Sequence, residues 1–182
     1  ACEFLDYPVV SGNVSFYNGT NNKNIFPTPV IGGVGLISSL RKPINHKLKK
    51  EKSSLILIGK TFGHLDQSCF LKENYSISDG APPKINLVNE KNNGEVVLSL
   101  INKDLVLAAH DVSNGGLIVS LSEMAMNSYY GMKIEKVKKL RNLFEYFFGE
   151  DQGRYILEVE HSNSPKVKKM LSDANIYYEN IG

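Results

Sequence analysis

Two short runs of continuous apolar residues constrain the fold of this chain most. Residues 54–59 read SLILIG and residues 105–109 read LVLAA, without the alternating polar residues of a half-exposed strand. Such runs are typical of strands that are covered on both faces. β-rich patterns predict further strands at 132–135, 155–160 and 176–178. We therefore predict a sheet that is packed between other elements.

The spacing of apolar residues predicts helices between these strands. The expected helices span residues 66–73, 86–102, 117–130, 140–147 and 165–174, and Gly94 is the weak point of the second one. From residue 54 the order of elements is then β-α-α-β-α-β-α-β-α-β. The predicted fold class is α/β (α+β), a mixed sheet with helices packed on it.

The first forty residues have a different pattern. Short apolar runs at 9–10, 14–17 and 30–31 alternate with glycines and prolines, which indicates strands and loops. Residues 40–54 are basic and contain Pro43, as expected of a solvated connector. We predict the end of one domain at 1–40, a linker at 41–53 and a second domain at 54–182.

Charge and cysteine content exclude several classes of protein. The chain has 21 Lys and Arg against 19 Asp and Glu, a net charge of +2, which predicts neither nucleic acid nor an anionic membrane as partner. No apolar stretch reaches the length of a membrane span, and residues 1–7 do not resemble a signal peptide. Cys2 and Cys69 fit no metal or redox spacing. A cytoplasmic protein with free thiols is expected.

The segment SGNVSFYN, residues 11–18, combines residue types that suit a phosphate and metal site. Gly12 permits close approach of a phosphate, Asn13 offers a neutral oxygen to Mg²⁺, and Ser15 can donate to a phosphate or substrate oxygen. The alternative is a turn leading into a strand, with Asn13 and Ser15 bonded to local backbone groups. Spacing alone favours that alternative.

Three further segments also have structural interpretations. IGGVGL at 31–36 lacks the dinucleotide-binding fingerprint, and its glycines indicate close strand packing. HDVSNGGL at 110–117 joins a strand to a helix, where it can cap the helix or bind an anion. FGEDQGRY at 148–155 predicts a polar turn with an ion pair from Glu150 or Asp151 to Arg154. No nucleophile elbow accompanies His110 and Asp111.

Taken together, the motifs resemble one enzyme family. In chain order they are SGNVSFYN, PTPVIGGVGL, LILIGKTFGHLDQS, DGAPP, AAHDVSNGGLIVSLSEMAM and FGEDQGRYILEV. This series is similar to the C-terminal part of phosphoribosylformylglycinamidine synthase subunit II, a member of the aminoimidazole ribonucleotide synthetase-like superfamily. The resemblance implies an aminoimidazole ribonucleotide synthetase C-terminal-like domain, preceded by the terminal strands of an ATP-binding-type domain.

The resemblance also implies an activity. Enzymes of this family are ATP-dependent C–N ligases of purine biosynthesis that convert formylglycinamide ribonucleotide to the amidine, using ATP, Mg²⁺ and glutamine-derived ammonia. A glutamine amidotransferase subunit and a small accessory subunit are the implied partners. Carried over to this sequence, the family roles are contact with ATP for Gly12, ligation of Mg²⁺ for Asn13 and contact with the ribonucleotide substrate for Ser15.

The family's catalytic base and main acidic Mg²⁺ ligands lie outside the matched motifs, so no catalytic residue is assigned. The chain begins at Ala1 without a methionine, and we expect a C-terminal fragment that folds in its second domain but is inactive alone. Two departures from the family pattern are GHLDQS at 63–68 and Asn114. The alternatives are a non-catalytic nucleotide- or partner-binding module of the same fold, or a small-molecule kinase of the superfamily.

Overall fold

The protein was analysed as a computed structural model, which describes residues 1–14, 18–25, 28–37, 43–126, 128–135 and 142–182. By its internal contacts the chain divides into two units, Ala1–Pro43 and Ile44–Gly182. The division follows Pro43. Each unit is described by itself below.

The first unit contains a short antiparallel hairpin. Strand β1 (Gly19–Thr20) pairs with β2 (Lys23–Asn24), and Thr20 lies opposite Lys23. Asn21 and Asn22 form the two-residue turn with φ angles of 51° and 56°. Positive φ at both positions is the geometry of the type I′ turn, which asparagine tolerates. Every residue that the structure describes in this unit is exposed.

Several strands expected in the first unit do not form among the described residues. Val9–Val10 and Val30–Ile31 have no strand assignment, and residues 15–17 lie outside the described ranges. Val30 is 95% exposed and Ile31 is 81% exposed. Strands depend on pairing and on burial of one face, and these residues have neither within the described unit.

The second unit is built on a four-stranded sheet. Its strands are β3 (Ser54–Ile58), β4 (Ala108–Asp111), β5 (Tyr155–Val159) and β6 (Tyr178–Asn180). Their spatial order is β4-β5-β3-β6, and each neighbouring pair is antiparallel. In the central pair, Ile56 lies opposite Leu157.

The described residues of this unit form five α-helices beside the sheet: α1 (Cys69–Tyr75), α2 (Leu87–Asn102), α3 (Gly116–Met126), α4 (Leu143–Phe148) and α5 (Ser164–Asp173). Side chains cap the starts of three of them: Ser68 Oγ accepts a bond from Leu71 N (3.3 Å), Asn86 Oδ1 accepts one from Asn89 N (3.1 Å) and Asn142 Oδ1 accepts one from Phe144 N (2.9 Å). Within the described ranges, no helix has the length and apolar character needed to cross a membrane.

The sheet separates two apolar clusters. Leu55 and Leu57 of β3 contribute to one cluster with residues of α3 and α4, whereas Ile56 and Ile58 contribute to the other with residues of α2 and α5. All five residues of β3 are buried, which confirms the prediction of a strand covered on both faces. Burial of each such side chain contributes about 1.5–3 kcal/mol, and the alternating side chains require helices on both sides.

The α/β (α+β) class with helices packed on a sheet is confirmed, with differences in detail. No parallel pair occurs among the described strands. The continuous apolar runs did not distinguish the two directions, because helices that cover both faces of an antiparallel sheet also produce them. The strand expected at 132–135 is not formed. There, Glu135 N donates to Ile181 O (2.8 Å) without the repeated pairs of a ladder. Strand β4 starts later than expected and includes His110 and Asp111.

The segment before β3 is less solvated than expected. Leu48 is 6% exposed and belongs to the cluster under α3 and α4. The main-chain nitrogens of Lys49 and Lys50 donate to the two carboxylate oxygens of the buried Glu158 (2.8 and 3.1 Å). The basic sequence did not predict this contact, because Lys side chains can extend into water while their main chain is bonded to the core.

Candidate functional site

The SGNVSFYN segment lies in the first unit, where Gly12 and Asn13 are exposed. The position that a Cβ would occupy on Gly12 has no atom within 4 Å. Packing inside the described unit therefore does not explain why this residue is a glycine. Ser15, the third residue of the expected site, lies outside the described residues.

Asn13 suits a magnesium site only as one ligand among several. Mg²⁺ binds about six oxygens, and proteins usually supply one or two of them beside water and phosphate. The exposed Asn13 amide fits the role of one neutral oxygen ligand. Among the residues that the structure describes, no group of three or more His, Cys, Asp or Glu could hold a metal ion. The other ligands of such a site would come from nucleotide, water or further protein.

In the second unit, the turn before β5 brings two acidic side chains into the surrounding loops. Asp151 is 4% exposed, and its carboxylate accepts main-chain bonds from Phe62 (2.9 Å), Gly63 (2.8 Å) and His64 (3.3 Å). Bonds from several N–H groups replace the water that a buried carboxylate loses. Asp151 therefore holds the loop that follows β3.

Glu150 joins the beginnings of two helices. Its Oε1 accepts bonds from Cys69 N, the first residue of α1, and from Gly115 N, just before α3, each at 2.8 Å. A negative charge is favourable there because the free N–H groups of a helix start carry partial positive charge. The anion site that HDVSNGGL suggested is thus occupied by a carboxylate of the same chain. Burial, followed by the nearby Glu150, raises the pKa of the Cys69 thiol.

Arg154 is arranged differently from the expected ion pair with Glu150 or Asp151. It is 1% exposed, and its guanidinium donates to the main-chain oxygens of Gly149 and Asp151 and to Thr61 Oγ1. The expected side-chain ion pair is therefore corrected to bonds with carbonyls, since the Asp151 carboxylate is bonded to the 62–64 amides. Burial lowers the pKa of Arg154, and the nearby Asp151 charge opposes that shift.

Hydrogen bonds join the loops that contain the GHLDQS and DGAPP motifs. His64 Nε2 donates to Ala81 O (2.8 Å), while Gln67 Nε2 donates to Ser78 O (2.9 Å) and Gly80 O (3.1 Å). The departure from the family pattern at 63–68 therefore supplies two residues that join these loops.

His110 is held by acidic side chains on two elements. Its Nε2 lies 2.9 Å from Glu123 Oε2 on α3, and its Nδ1 lies 3.4 Å from Asp111 Oδ1. The centroid of the His46 ring lies 5.2 Å from the centroid of the His110 ring. Sequence reasoning missed Glu123 and His46. The available signal was that Glu123 is the sole charged residue in the apolar run of α3.

A protein-family model described as AIR synthase related protein, C-terminal domain, matches residues 51–182. The chain belongs to this family. The match covers the sheet, its helices and every contact described above for Glu150, Asp151 and Arg154.

Curated relatives of this AIR synthase related chain are named phosphoribosylformylglycinamidine synthase subunit PurL. The protein from Pelagibacter ubique is 48% identical over all 182 residues, which form 25% of that protein. The protein from Azorhizobium caulinodans is 42% identical, and that from a Bradyrhizobium species is 43% identical, with the same coverage. The chain spans about a quarter of the length of these relatives.

Solved structures of Thermotoga maritima PurL share the fold of this AIR synthase related chain. The complex with ATP has a TM-score of 0.59 at 13% identity, covering 76% of this chain and 22% of the other. The complex with FGAR has a TM-score of 0.60 at 16% identity, covering 76% and 25%. At this identity the likeness establishes the architecture alone.

The AIR synthase related domain of this chain uses its acidic motif residues internally. Glu150 and Asp151 accept bonds from backbone amides, and Arg154 donates to carbonyls. The residues predicted from the sequence, Gly12 and Asn13, are adjacent and exposed, and a Cβ on Gly12 would have no atom within 4 Å.

Proposed function

We propose that this chain is part of a phosphoribosylformylglycinamidine synthase subunit II, an ATP-dependent C–N ligase of purine biosynthesis. The observation that carries the proposal is the 48% identity to Pelagibacter ubique PurL across the whole chain. The T. maritima PurL complexes with ATP and FGAR, which share the fold, support the choice of ligands.

The proposed reaction turns an amide into an amidine. ATP phosphorylates the amide oxygen of formylglycinamide ribonucleotide, and ammonia from glutamine then displaces phosphate. Catalysis of phosphoryl transfer depends on positioning and on offsetting negative charge. We assign Gly12 to the approach of ATP phosphates, Asn13 to Mg²⁺ and Ser15 to the ribonucleotide. Bound Mg²⁺ would supply charge neutralisation, and Asn13 would contribute one neutral oxygen to it.

The proposal extends to domains and partners. Residues 1–40 would complete an ATP-binding-type domain, 41–53 would link it, and 54–182 would form the aminoimidazole ribonucleotide synthetase-like domain. A glutamine amidotransferase subunit and a small accessory subunit would deliver ammonia in the cytoplasm. A T. maritima structure named PurLQS, which shares the fold, supports an assembly of this kind.

A chimeric enzyme tests the function. The matching quarter of P. ubique PurL is replaced by this chain, and ADP release is measured with formylglycinamide ribonucleotide, Mg²⁺ and ammonia. We expect activity from the chimera and none from the 182-residue chain alone. An inactive but folded chimera, beside an active parent, would contradict the assignment. Turnover by the isolated chain would contradict the proposed need for the remaining three quarters.

The role of Asn13 is tested in the same chimera. Asn13→Ala should raise the Mg²⁺ concentration for half-maximal activity at least ~10-fold, since loss of groups at a metal site weakens binding by such factors. Asn24→Ala is the matched control, because Asn24 is another exposed asparagine of the first unit. An unchanged Mg²⁺ requirement in Asn13→Ala would remove Asn13 from the site.

A further inference from the structure

A cavity of about 470 Å³ lies beside the start of β3. Its lining residues come from within 48–55 and from within 129–135, the segment that follows α3, together with Gly182. All of them belong to the second unit. Sites for small molecules have volumes of about 300–1,000 Å³, so this cavity has room for a compound of one or two rings.

The buried part of the lining is apolar. Leu48 and Leu55 are buried members of the cluster under α3 and α4, and Tyr130 and Met132 pack against the same cluster. Tyr129, the next lining residue, is fully exposed. An exposed tyrosine ring offers a face on which a second ring can stack. This combination suits the burial of a flat ring.

Hydrogen bonds hold the segment that carries the two tyrosines. Ser128 Oγ lies within hydrogen-bond distance of Ala125 O (3.0 Å) and Tyr130 O (2.9 Å), and it accepts a bond from Tyr130 N (3.1 Å). These bonds join the segment to the end of α3. Because this side of the cavity is held in place before a ligand binds, binding costs less conformational entropy.

The segment before β3 is held by the buried Glu158. Ser53 Oγ donates to Glu158 Oε1 (2.8 Å), in addition to the bonds from the Lys49 and Lys50 main chain. In this turn Lys52 has a φ of 55°, a left-handed conformation that glycine or asparagine adopts at lower cost. The main-chain conformation therefore does not favour lysine at this position.

The exposed rim of the cavity carries charges of both signs. Its charged residues are Lys50, Lys52, Lys133, Glu51 and Glu135. The ammonium group of Lys50 pairs with Glu160, whereas no carboxylate of the described residues pairs with Lys52 or Lys133. Three positive charges against two negative ones give the rim a net charge of +1. Such a rim suits one anionic group better than the several charges of a polyphosphate.

We propose that this cavity binds a small aromatic monoanion, a compound of one or two fused rings with a single carboxylate. The ring packs on the apolar lining against Tyr129, and the carboxylate is attracted by the ammonium groups of Lys52 and Lys133. Attraction beside an apolar surface is stronger than in open water, because the local dielectric constant is lower. The lining contains none of the residues assigned to ATP, Mg²⁺ or the ribonucleotide, so the proposal is independent of the ligase function.

Titration of the full chain with 2-naphthoate, followed by NMR of the backbone amides, tests the proposal. We expect 2-naphthoate to bind at least ~10-fold more tightly than the neutral 2-naphthalenemethanol, since only the acid uses both the apolar lining and the lysines. The amide shifts should be largest within 50–53 and 129–133. Equal affinity for the two compounds, shifts confined to other residues, or no binding of 2-naphthoate at millimolar concentration would overturn the proposal.

Two lysine variants test the position of the carboxylate. Lys52→Gln and Lys133→Gln should each weaken 2-naphthoate binding at least ~3-fold and leave the affinity for 2-naphthalenemethanol unchanged, because each removes a charge and keeps most of the side chain. Lys84→Gln is the matched control, since Lys84 is an exposed lysine of the same unit outside the lining. An equal loss in Lys84→Gln, or no loss in either rim variant, would contradict the proposed site.

A third variant tests the position of the ring. Tyr129→Ala should weaken the binding of both compounds by a similar factor, because both stack the same ring on this side chain. Tyr129 is fully exposed, so its replacement should leave the urea unfolding midpoint of the chain unchanged. Unchanged affinity for both compounds in Tyr129→Ala would exclude the stacked ring and with it the proposed mode of binding.

Discussion

The surroundings of Gly116 in the second unit differ from those of three glycines in the first unit. A Cβ on Gly116 would lie 2.7 Å from Phe148 C and 2.8 Å from Gly149 O, and its φ is +73°. A Cβ on Gly12, Gly32 or Gly35 would meet nothing within 4 Å. Close backbone contact thus explains Gly116 in the 44–182 unit, whereas those three glycines in the 1–43 unit are not explained by their described surroundings.

Apolar residues show the same contrast. Ile56 and Leu57 are 0% exposed in the second unit, whereas Val30 is 95% and Leu36 is 98% exposed in the first. A contiguous exposed apolar segment is typical of an interaction surface. The comparison supports the view that residues 1–43 act together with further protein or ligand.

The largest effect that tests this contrast is expected at glycine. Gly116→Ala should lower the free energy of unfolding by about 3 kcal/mol or more, because the Cβ meets rigid main chain at a left-handed φ. Gly12→Ala should change it by less than about 0.5 kcal/mol, as is usual at open surface sites. Urea unfolding followed by circular dichroism measures both.

Equal destabilisation by the two alanines would break the contrast. If Gly12→Ala left stability unchanged but weakened ATP binding in the chimeric enzyme, the contrast would be sharpened, because the glycine would then be needed for the ligand alone.

The next effect concerns Glu150, which is bonded to Cys69 N and Gly115 N. Glu150→Ala should lower the free energy of unfolding by about 2 kcal/mol, since two N–H groups lose a charged acceptor and water replaces it in part. Glu51→Ala is the control, because Glu51 is exposed in the same unit. Thermal unfolding compares the two, and a loss no larger than that of Glu51→Ala would show that the joined helix starts add little.

The fold could be predicted from the sequence where burial requires a clear pattern of apolar residues. The runs at 54–59 and 155–160 became β3 and β5, and the helices α2 and α5 lie within two residues of their expected bounds. The relative direction of paired strands was harder to predict, because a run buried on both faces is compatible with parallel and antiparallel neighbours alike. The strand expected at 132–135 shows the same limit, since β propensity does not supply a partner.

The roles of the acidic motif residues could not be predicted from their spacing. Glu150 and Asp151 bond to amides 35 to 89 positions away in sequence. Local reasoning favours a partner nearby, and it therefore chose Arg154. The assignments of Gly12, Asn13 and Ser15 remain predictions, because they depend on ligands and on the family resemblance.

A smaller effect is expected at Tyr146, a buried residue of α4 whose hydroxyl donates to Glu179 Oε2 (3.0 Å). Burial, followed by the Glu179 charge, raises the pKa of Tyr146 well above its ordinary value. A raised pKa in the folded state means that stability is complete below about pH 10 and falls as the pH rises, because the unfolded chain ionises first.

Tyr146→Phe should therefore cost about 1 kcal/mol near neutral pH, for the lost hydrogen bond, and should show a shallower loss of stability above about pH 10. The loss does not vanish, because burial raises the pKa of Tyr155 and Tyr177 as well. Unfolding by urea at a series of pH values gives the two slopes. Parallel curves for the two proteins would show that Tyr146 does not titrate in this way.

The smallest effect is expected from removing the first unit. Every described member of both apolar clusters lies at or beyond Ile44, so residues 44–182 should retain the stability of the full chain within about 0.5 kcal/mol. Urea unfolding of the two proteins measures the difference. A much less stable 44–182 would show that residues 1–43 support the second unit, and their exposed apolar residues would then have a partner within this chain. Equal stability would show that residues 1–43 do not support the second unit.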